Sequence, residues 1–150
     1  MSEQQRPGGL TALAVINFVF AGVETLSLLG LVSMRAGLLS TDELTEAQRA
    51  PIEAIQNMGL PMFIAIFAGT LVIAALLLLS GIGYLKQKRF MGRLLGNGYA
   101  VLSIVSGIYF GAVLSPELGG GFNFIRILEL VYPALTLIFI NTTFKDDLTN

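Results

Sequence analysis

Three ionisable residues stand where an apolar chain can least accommodate them. Glu24, Arg126 and Glu129 each lie within a run of hydrophobic residues. A charged side chain at the centre of a hydrocarbon layer costs at least ~2.5 kcal/mol on insertion scales, so Glu24 must be protonated, paired or wetted. Arg126 and Glu129 are three residues apart, hence on one helical face, and the arginine side chain is long enough to reach inward. Two kinds of chemistry are compatible with such a cluster. A protonatable Glu24 could take up and release a proton or an ion, or the three groups could pair to set helix register and join subunits. Pro133 removes a helical hydrogen bond, frees the carbonyl of Glu129 and is expected to kink its helix at that point. Tyr132, Asn17, Thr25 and Ser27 are the polar residues placed to extend the network.

Residue types exclude most other chemistries. The 150 residues contain no Cys and no His. That removes disulfides, thiolate and imidazole metal sites, histidine-ligated haem, and Ser-His-Asp or Cys-His catalysis. No catalytic residue, metal or cofactor is expected, and the chain reads as non-enzymatic.

The elements that must position these residues follow from composition. Apolar residues make up 54% of the chain and charged residues 13%, with a mean hydropathy of +0.75. A water-soluble domain of this composition would expose large apolar patches, which monomeric proteins rarely do. Four stretches, 10–34, 61–85, 94–114 and 124–144, meet the length of about 20 helical residues needed to cross a hydrocarbon layer. The second carries no charge at all and includes Leu76-Leu77-Leu78-Leu79. Lipid offers no partner to backbone N–H and C=O groups, so each span must be helical. The expected fold is an all-α, integral membrane, four-helix up-down-up-down bundle in one domain, with a short amphipathic helical segment between the first two spans. In such a bundle the first and fourth spans are neighbours, which would bring Glu24, Arg126 and Glu129 together. The first apolar run exceeds a signal peptide's and is expected to stay as an anchor.

Glycines on the third span, Gly92 with Gly96 and Gly107 with Gly111, have the four-residue spacing that lets helices approach closely. Packing inside the bundle and a seam between copies are both open readings. The outer helical segment, 42–58, repeats Leu44, Ala47, Pro51, Ile55 and Met58 at three- or four-residue intervals. Thr41 is its expected N-cap, and Pro51 is expected to open a second short helix. It reads either as a connector resting on the bundle or as a lid or docking surface. The connection 115–123, with Pro116 and Gly119-Gly120-Gly121, reads as a hinge-like turn.

Lys86, Lys88, Arg89 and Arg93 crowd the turn between the second and third spans with no acid among them, which places that turn in the cytoplasm. Both termini then share its side, so Arg6 and Lys145 bring the inside total to six of the nine basic residues. Outside lie Arg35, Arg49 and Arg126 among Asp42, Glu43, Glu46, Glu53 and Glu117. Beyond fixing topology, the basic turn could meet an anionic lipid headgroup or an acidic partner. No basic stripe interleaved with aromatics suggests nucleic acid.

The same turn carries a resemblance. Gly81-Ile82-Gly83-Tyr84-Leu85-Lys86-Gln87-Lys88-Arg89-Phe90-Met91-Gly92-Arg93 resembles the corresponding turn of small, uncharacterised bacterial four-span (tetraspan) inner-membrane proteins, and Arg6-Pro7-Gly8-Gly9-Leu10-Thr11-Ala12-Leu13 resembles the way they begin. Phe90 stands where those proteins often have Trp, and Met91 is additional. The resemblance implies the bacterial inner (plasma) membrane and brings no activity with it. The functional expectation is an accessory or structural subunit of a membrane assembly. Its partners would be the lipid bilayer and either a second copy or another membrane subunit. The alternative is a small homo-oligomeric transporter or proton-coupled exchanger using Glu24, by fold-level analogy with small multidrug exporters.

Overall fold

A computed structural model describes residues 7–39, 44–109 and 124–148, with the side chains of Ala47 and of residues 124–129 outside the description. The described chain is all helical, with no strand among the described residues. It comprises α1 (Gly8–Arg35), α2 (Glu46–Asn57), α3 (Leu60–Leu85), a π-helical turn (Arg89–Leu94), α4 (Leu95–Tyr109) and α5 (Phe124–Asn141). Two of these helices, α1 and α3, are long and apolar enough to cross a membrane. The third and fourth expected spans are occupied by α4 and α5, and residues 110–114 of the third lie outside the described residues.

Helix α1 packs chiefly on α3, α3 on α4, and α4 on α5. Buried positions of α1 recur at Leu10, Leu13, Ala14, Asn17, Ala21 and Leu28, a single stripe at helical spacing. That stripe meets Ala74, Leu77, Ser80, Gly81 and Tyr84 of α3. Small residues bring the helices together: a Cβ at Gly81 would sit 2.8 Å from the Phe18 ring. Side chains of α5 reach α1 as well, with the Tyr132 and Phe20 ring centroids 4.8 Å apart. Most of the remaining surface of α1 and α3 is outward-facing and apolar, with the exposed Thr25 and Ser27 hydroxyls bonded back to their own helix. Val19, Leu26 and Leu29 on α1 and Ile64, Leu71 and Val72 on α3 are all exposed, Leu26 at 69%.

Each long helix ends in a reversal that satisfies its last carbonyls. After α1, Gly37 adopts a φ of 66°, Gly37 N–H donates to Met34 O and Leu38 N–H to Ser33 O. After α3 the same pattern recurs with Gln87 at φ 50°, Gln87 N–H donating to Tyr84 O and Lys88 N–H to Gly83 O. Both are Schellman closures, the first with the glycine such a position favours. The basic segment then winds into the π-helical turn instead of remaining a loop, a departure from the expected start of the third helix at residue 94. The cause is tertiary. Any side chain at Gly83 would fall on the backbone of Met91 and Gly92, so the two glycines set the returning chain directly against α3.

The outer helix α2 lies within the expected segment, but two local features differ. Its N-cap is Thr45, whose N–H donates to Gln48 Oε1 at 3.0 Å, and Thr41 lies outside the described residues. Pro51 sits inside one continuous helix and does not start a second. The buried face is also shifted: Ile52 and Ile55 are buried while Pro51 is exposed. Two isoleucines one turn apart bury more apolar area on α1 than the proline ring would, and they set the rotation. Arg35, at the end of α1, holds the other end of α2. Its Nη1 donates to the carbonyls of Ile55 (3.0 Å), Gln56 (2.5 Å) and Met58 (2.7 Å). The guanidinium also lies 5.5 Å from the Phe63 ring centroid. A cation on the C-terminal carbonyls of a helix is favoured by the dipole as well as by the hydrogen bonds. Arg35→Ala should therefore loosen α2 by about 1.5–3 kcal/mol. Hydrogen exchange checks this: amides of α2 exchange faster while those of α1 and α3 keep their protection.

Candidate functional site

Polar chemistry concentrates between α1, α3 and α5. Asn17 is fully buried on α1, and its Nδ2 donates to Ser80 Oγ on α3 at 2.7 Å. Ser80 Oγ in turn donates to Leu77 O at 3.2 Å. From α5, the Tyr132 hydroxyl donates to Asn17 Oδ1. One amide thus receives a bond from one helix and gives one to another. In an apolar interior such bonds are strengthened and each unmade bond is costly, so the three side chains fix one relative placement of the three helices.

Two further hydroxyls belong to this region. Tyr84 and Thr136 are both fully buried, and Tyr84 Oη and Thr136 Oγ1 make no well-aligned hydrogen bond among the described residues, although Ser80 and Asn17 lie near the first and Tyr132 near the second. Tyr132, Thr136 and Ile140 follow one another at four-residue intervals, so they line one face of α5. Tyr84 packs in the same cluster as Ile140, Leu10, Leu13 and Ala14. A Cβ on Gly96 would collide with the Tyr84 hydroxyl and come within 2.8 Å of Ile140 Cδ1. Gly92 is placed similarly, with a Cβ 2.9 Å from Leu148 Cδ2 and 3.2 Å from Tyr84 Cδ1. Gly107 faces Leu130, whose Cδ2 would lie 2.8 Å from an added Cβ. These three glycines therefore lie against side chains of their own chain, and Gly111 lies outside the described residues.

A second polar tie joins α4 to α5. Asn97 and Asn141 exchange amide bonds, Asn141 Nδ2 donating to Asn97 Oδ1 at 2.7 Å and Asn97 Nδ2 to Asn141 Oδ1 at 3.2 Å. Arg93 Nε reaches the same Asn141 oxygen at 3.4 Å. Of the four bases in the turn, Lys86, Lys88 and Arg89 are exposed, and Arg93 is the half-buried one.

Glu24 is half-buried on α1 and interacts electrostatically with Tyr99 of α4. The side chains of Arg126 and Glu129 lie outside the described residues, so the expected cluster of these three residues does too. Pro133 is buried inside α5, where its missing N–H leaves the Glu129 carbonyl without its helical donor. Of the residues expected to extend a network around Glu24, Asn17 and Tyr132 do meet, bonded directly, with Ser80 as the second partner of Asn17. Thr25 and Ser27 bond back to their own helix, at Ala21 O (2.8 Å) and Val23 O (3.0 Å). Sequence reasoning missed Ser80, Tyr84, Thr136 and the Asn97–Asn141 pair. The four-residue step from Tyr132 to Thr136 was the available signal, and the absence of charge in the second span concealed Ser80.

Chemically, the buried site offers amides and hydroxyls and no nucleophile-base pair. No group of three His, Cys, Asp or Glu side chains that could hold a metal occurs among the described residues. A groove of about 310 Å³ opens sideways between α3 and α4, lined by Met62, Ile66, Thr70, Ile73, Ser106 and Tyr109 among others. Its lining carries no charged side chain, which suits an acyl chain or an apolar side chain better than an ionic substrate.

Removing one member of the buried triad leaves its partners unpaired, whereas removing all three does not. Asn17→Leu should therefore cost about 1–3 kcal/mol. The triple variant Asn17→Leu, Ser80→Ala, Tyr132→Phe should recover most of that loss, as read by reversible unfolding in mixed micelles. By the same measurement Gly96→Ala is destabilising. Tyr84→Phe, which deletes a buried hydroxyl that makes no well-aligned hydrogen bond, is close to neutral and relieves the Gly96→Ala defect.

No protein-family model, no curated protein and no solved structure matches this chain.

Proposed function

We propose that the chain is a four-span integral membrane protein of the bacterial inner membrane, non-enzymatic, acting as an accessory or structural subunit of a membrane assembly. Spans one to four are the stretches 10–34, 61–85, 94–114 and 124–144, whose described helices are α1, α3, α4 and α5. The turn bearing Lys86, Lys88, Arg89 and Arg93 and both termini face the cytoplasm by the distribution of basic residues. Support for the membrane comes from the outward apolar faces of α1 and α3, where each large side chain transferred out of water contributes roughly 2 kcal/mol. The resemblance of the basic turn to that of small bacterial four-span proteins agrees with this placement.

One observation carries the structural reading. Asn17, Ser80 and Tyr132, one from each of α1, α3 and α5, are uncharged and bond one another, Tyr132 to Asn17 to Ser80 to the Leu77 carbonyl. Side chains arranged that way hold helices in register, and the chain of bonds contains no carboxylate or basic group, its one ionisable member being the phenol of Tyr132. A second reading, a homo-oligomeric proton-coupled exchanger, draws on a different observation, the half-buried Glu24 within electrostatic range of Tyr99. Purified protein in proteoliposomes separates the two. The structural reading predicts background proton flux that Glu24→Gln leaves unchanged, together with a fixed stoichiometry of self-association or of one co-purifying membrane subunit. A pH-driven flux abolished by Glu24→Gln, with folded protein retained, would replace it with the exchanger.

A further inference from the structure

The strongest unspent feature of the molecule is the surface of the basic turn. Lys86, Lys88 and Arg89 are exposed, and none of them forms an ion pair among the described residues. Asp146 and Asp147 lie at the same end, since Leu148 packs beside Gly92, yet they too make no ion pair among the described residues. Arg93 alone is engaged, through Asn141. Directly beside these cations stand two large apolar side chains in the open, Phe90 at 63% and Leu94 at 57% exposure. They are four residues apart in a π-helical turn, which sets both on one side. The segment is also rigid: the Schellman closure at Gln87 and the contact of Gly83 with Gly92 fix its path before anything binds. A preorganised group of donors loses little entropy on taking up an anion.

Cations joined to an apolar ledge at the end of an apolar helix match one ligand class. We propose that this turn seats an anionic phospholipid, with Lys86, Lys88 and Arg89 on the headgroup phosphate and Phe90 and Leu94 against the first part of its acyl chains. An acidic protein segment would answer the charges but leave the two apolar side chains in water. Each base near such a surface favours the anionic lipid by a factor of roughly five. The inference rests on the membrane reading above and goes beyond it, because topology alone needs the charges but neither the exposed Phe90 and Leu94 nor the fixed turn.

The sequence contains no Trp, so Phe90→Trp installs a single indole at the site. That variant, reconstituted in vesicles of phosphatidylcholine and phosphatidylglycerol at one fixed composition, is compared with either the zwitterionic or the anionic lipid brominated at equal mole fraction. Brominated phosphatidylglycerol should be enriched at the indole roughly fivefold or more over brominated phosphatidylcholine. High salt should bring the ratio close to one, as should Lys88→Gln with Arg89→Gln. The salt titration leaves all bases in place, so it tests the claim even if those substitutions alter insertion. Equal quenching by the two lipids at low salt overturns the lipid seat and leaves the membrane reading standing. Absence of quenching by either lipid overturns the membrane reading itself. A preference that persists unchanged in high salt rules out the electrostatic seat.

Discussion

Outward-facing apolar side chains are the constraint on which the rest of this molecule depends. Val19, Leu26 and Leu29 on α1 and Ile64, Leu71 and Val72 on α3 are exposed and belong to helices with few buried positions. Water would penalise those faces by an amount comparable to the stability of a whole domain. Hydrocarbon removes the penalty and imposes another, that every polar group within the span find a partner inside the protein. On the proposed membrane placement, the outer faces answer the first demand and the Asn17, Ser80 and Tyr132 bonds the second.

In the membrane setting proposed for this chain, specificity cannot come from apolar burial alone, because lipid tails compete with side chains on equal terms. Small residues and polar ties take over. Gly81 beneath Phe18, Gly96 beneath Tyr84 and Gly107 beneath Leu130 let helices meet closely. Asn17–Ser80–Tyr132 and Asn97–Asn141 then choose one register among several that close packing permits. At the opposite end from the basic turn, Arg35 solves a local version of the same problem by covering three carbonyls of α2 with one guanidinium.

Hydropathy made α1 and α3 legible, because an uncharged run such as 61–85 admits few alternatives. The existence of α2 was also visible in its three- and four-residue spacing, but its rotation was not. Pro51 and Ile52 are adjacent, and Ile55 lies four residues from one and three from the other, so the spacing alone does not choose which of them is buried. The π-helical turn was hidden for the same reason, since it depends on Gly83 and Gly92 touching after the chain has reversed. Ionisable residues drew attention to Glu24 while the buried ties were built from amides and hydroxyls, whose individual penalties are too small to stand out in a sequence. Asn17 and Tyr132 were named as candidates; the third member, Ser80, required knowing that residue 80 on one helix lies beside residue 17 on another.

The chain is free of cysteine, so spin labels attached at Leu26→Cys, Leu71→Cys and Val101→Cys can be read one at a time in liposomes. Collision with molecular oxygen and with a water-soluble nickel chelate reports directly which solvent touches each position. The account predicts strong oxygen and weak nickel relaxation at all three sites, with nickel access rising toward Lys88→Cys. Nickel access at Leu26, Leu71 and Val101 equal to that at Lys88 would contradict it, because those faces would then lie in water.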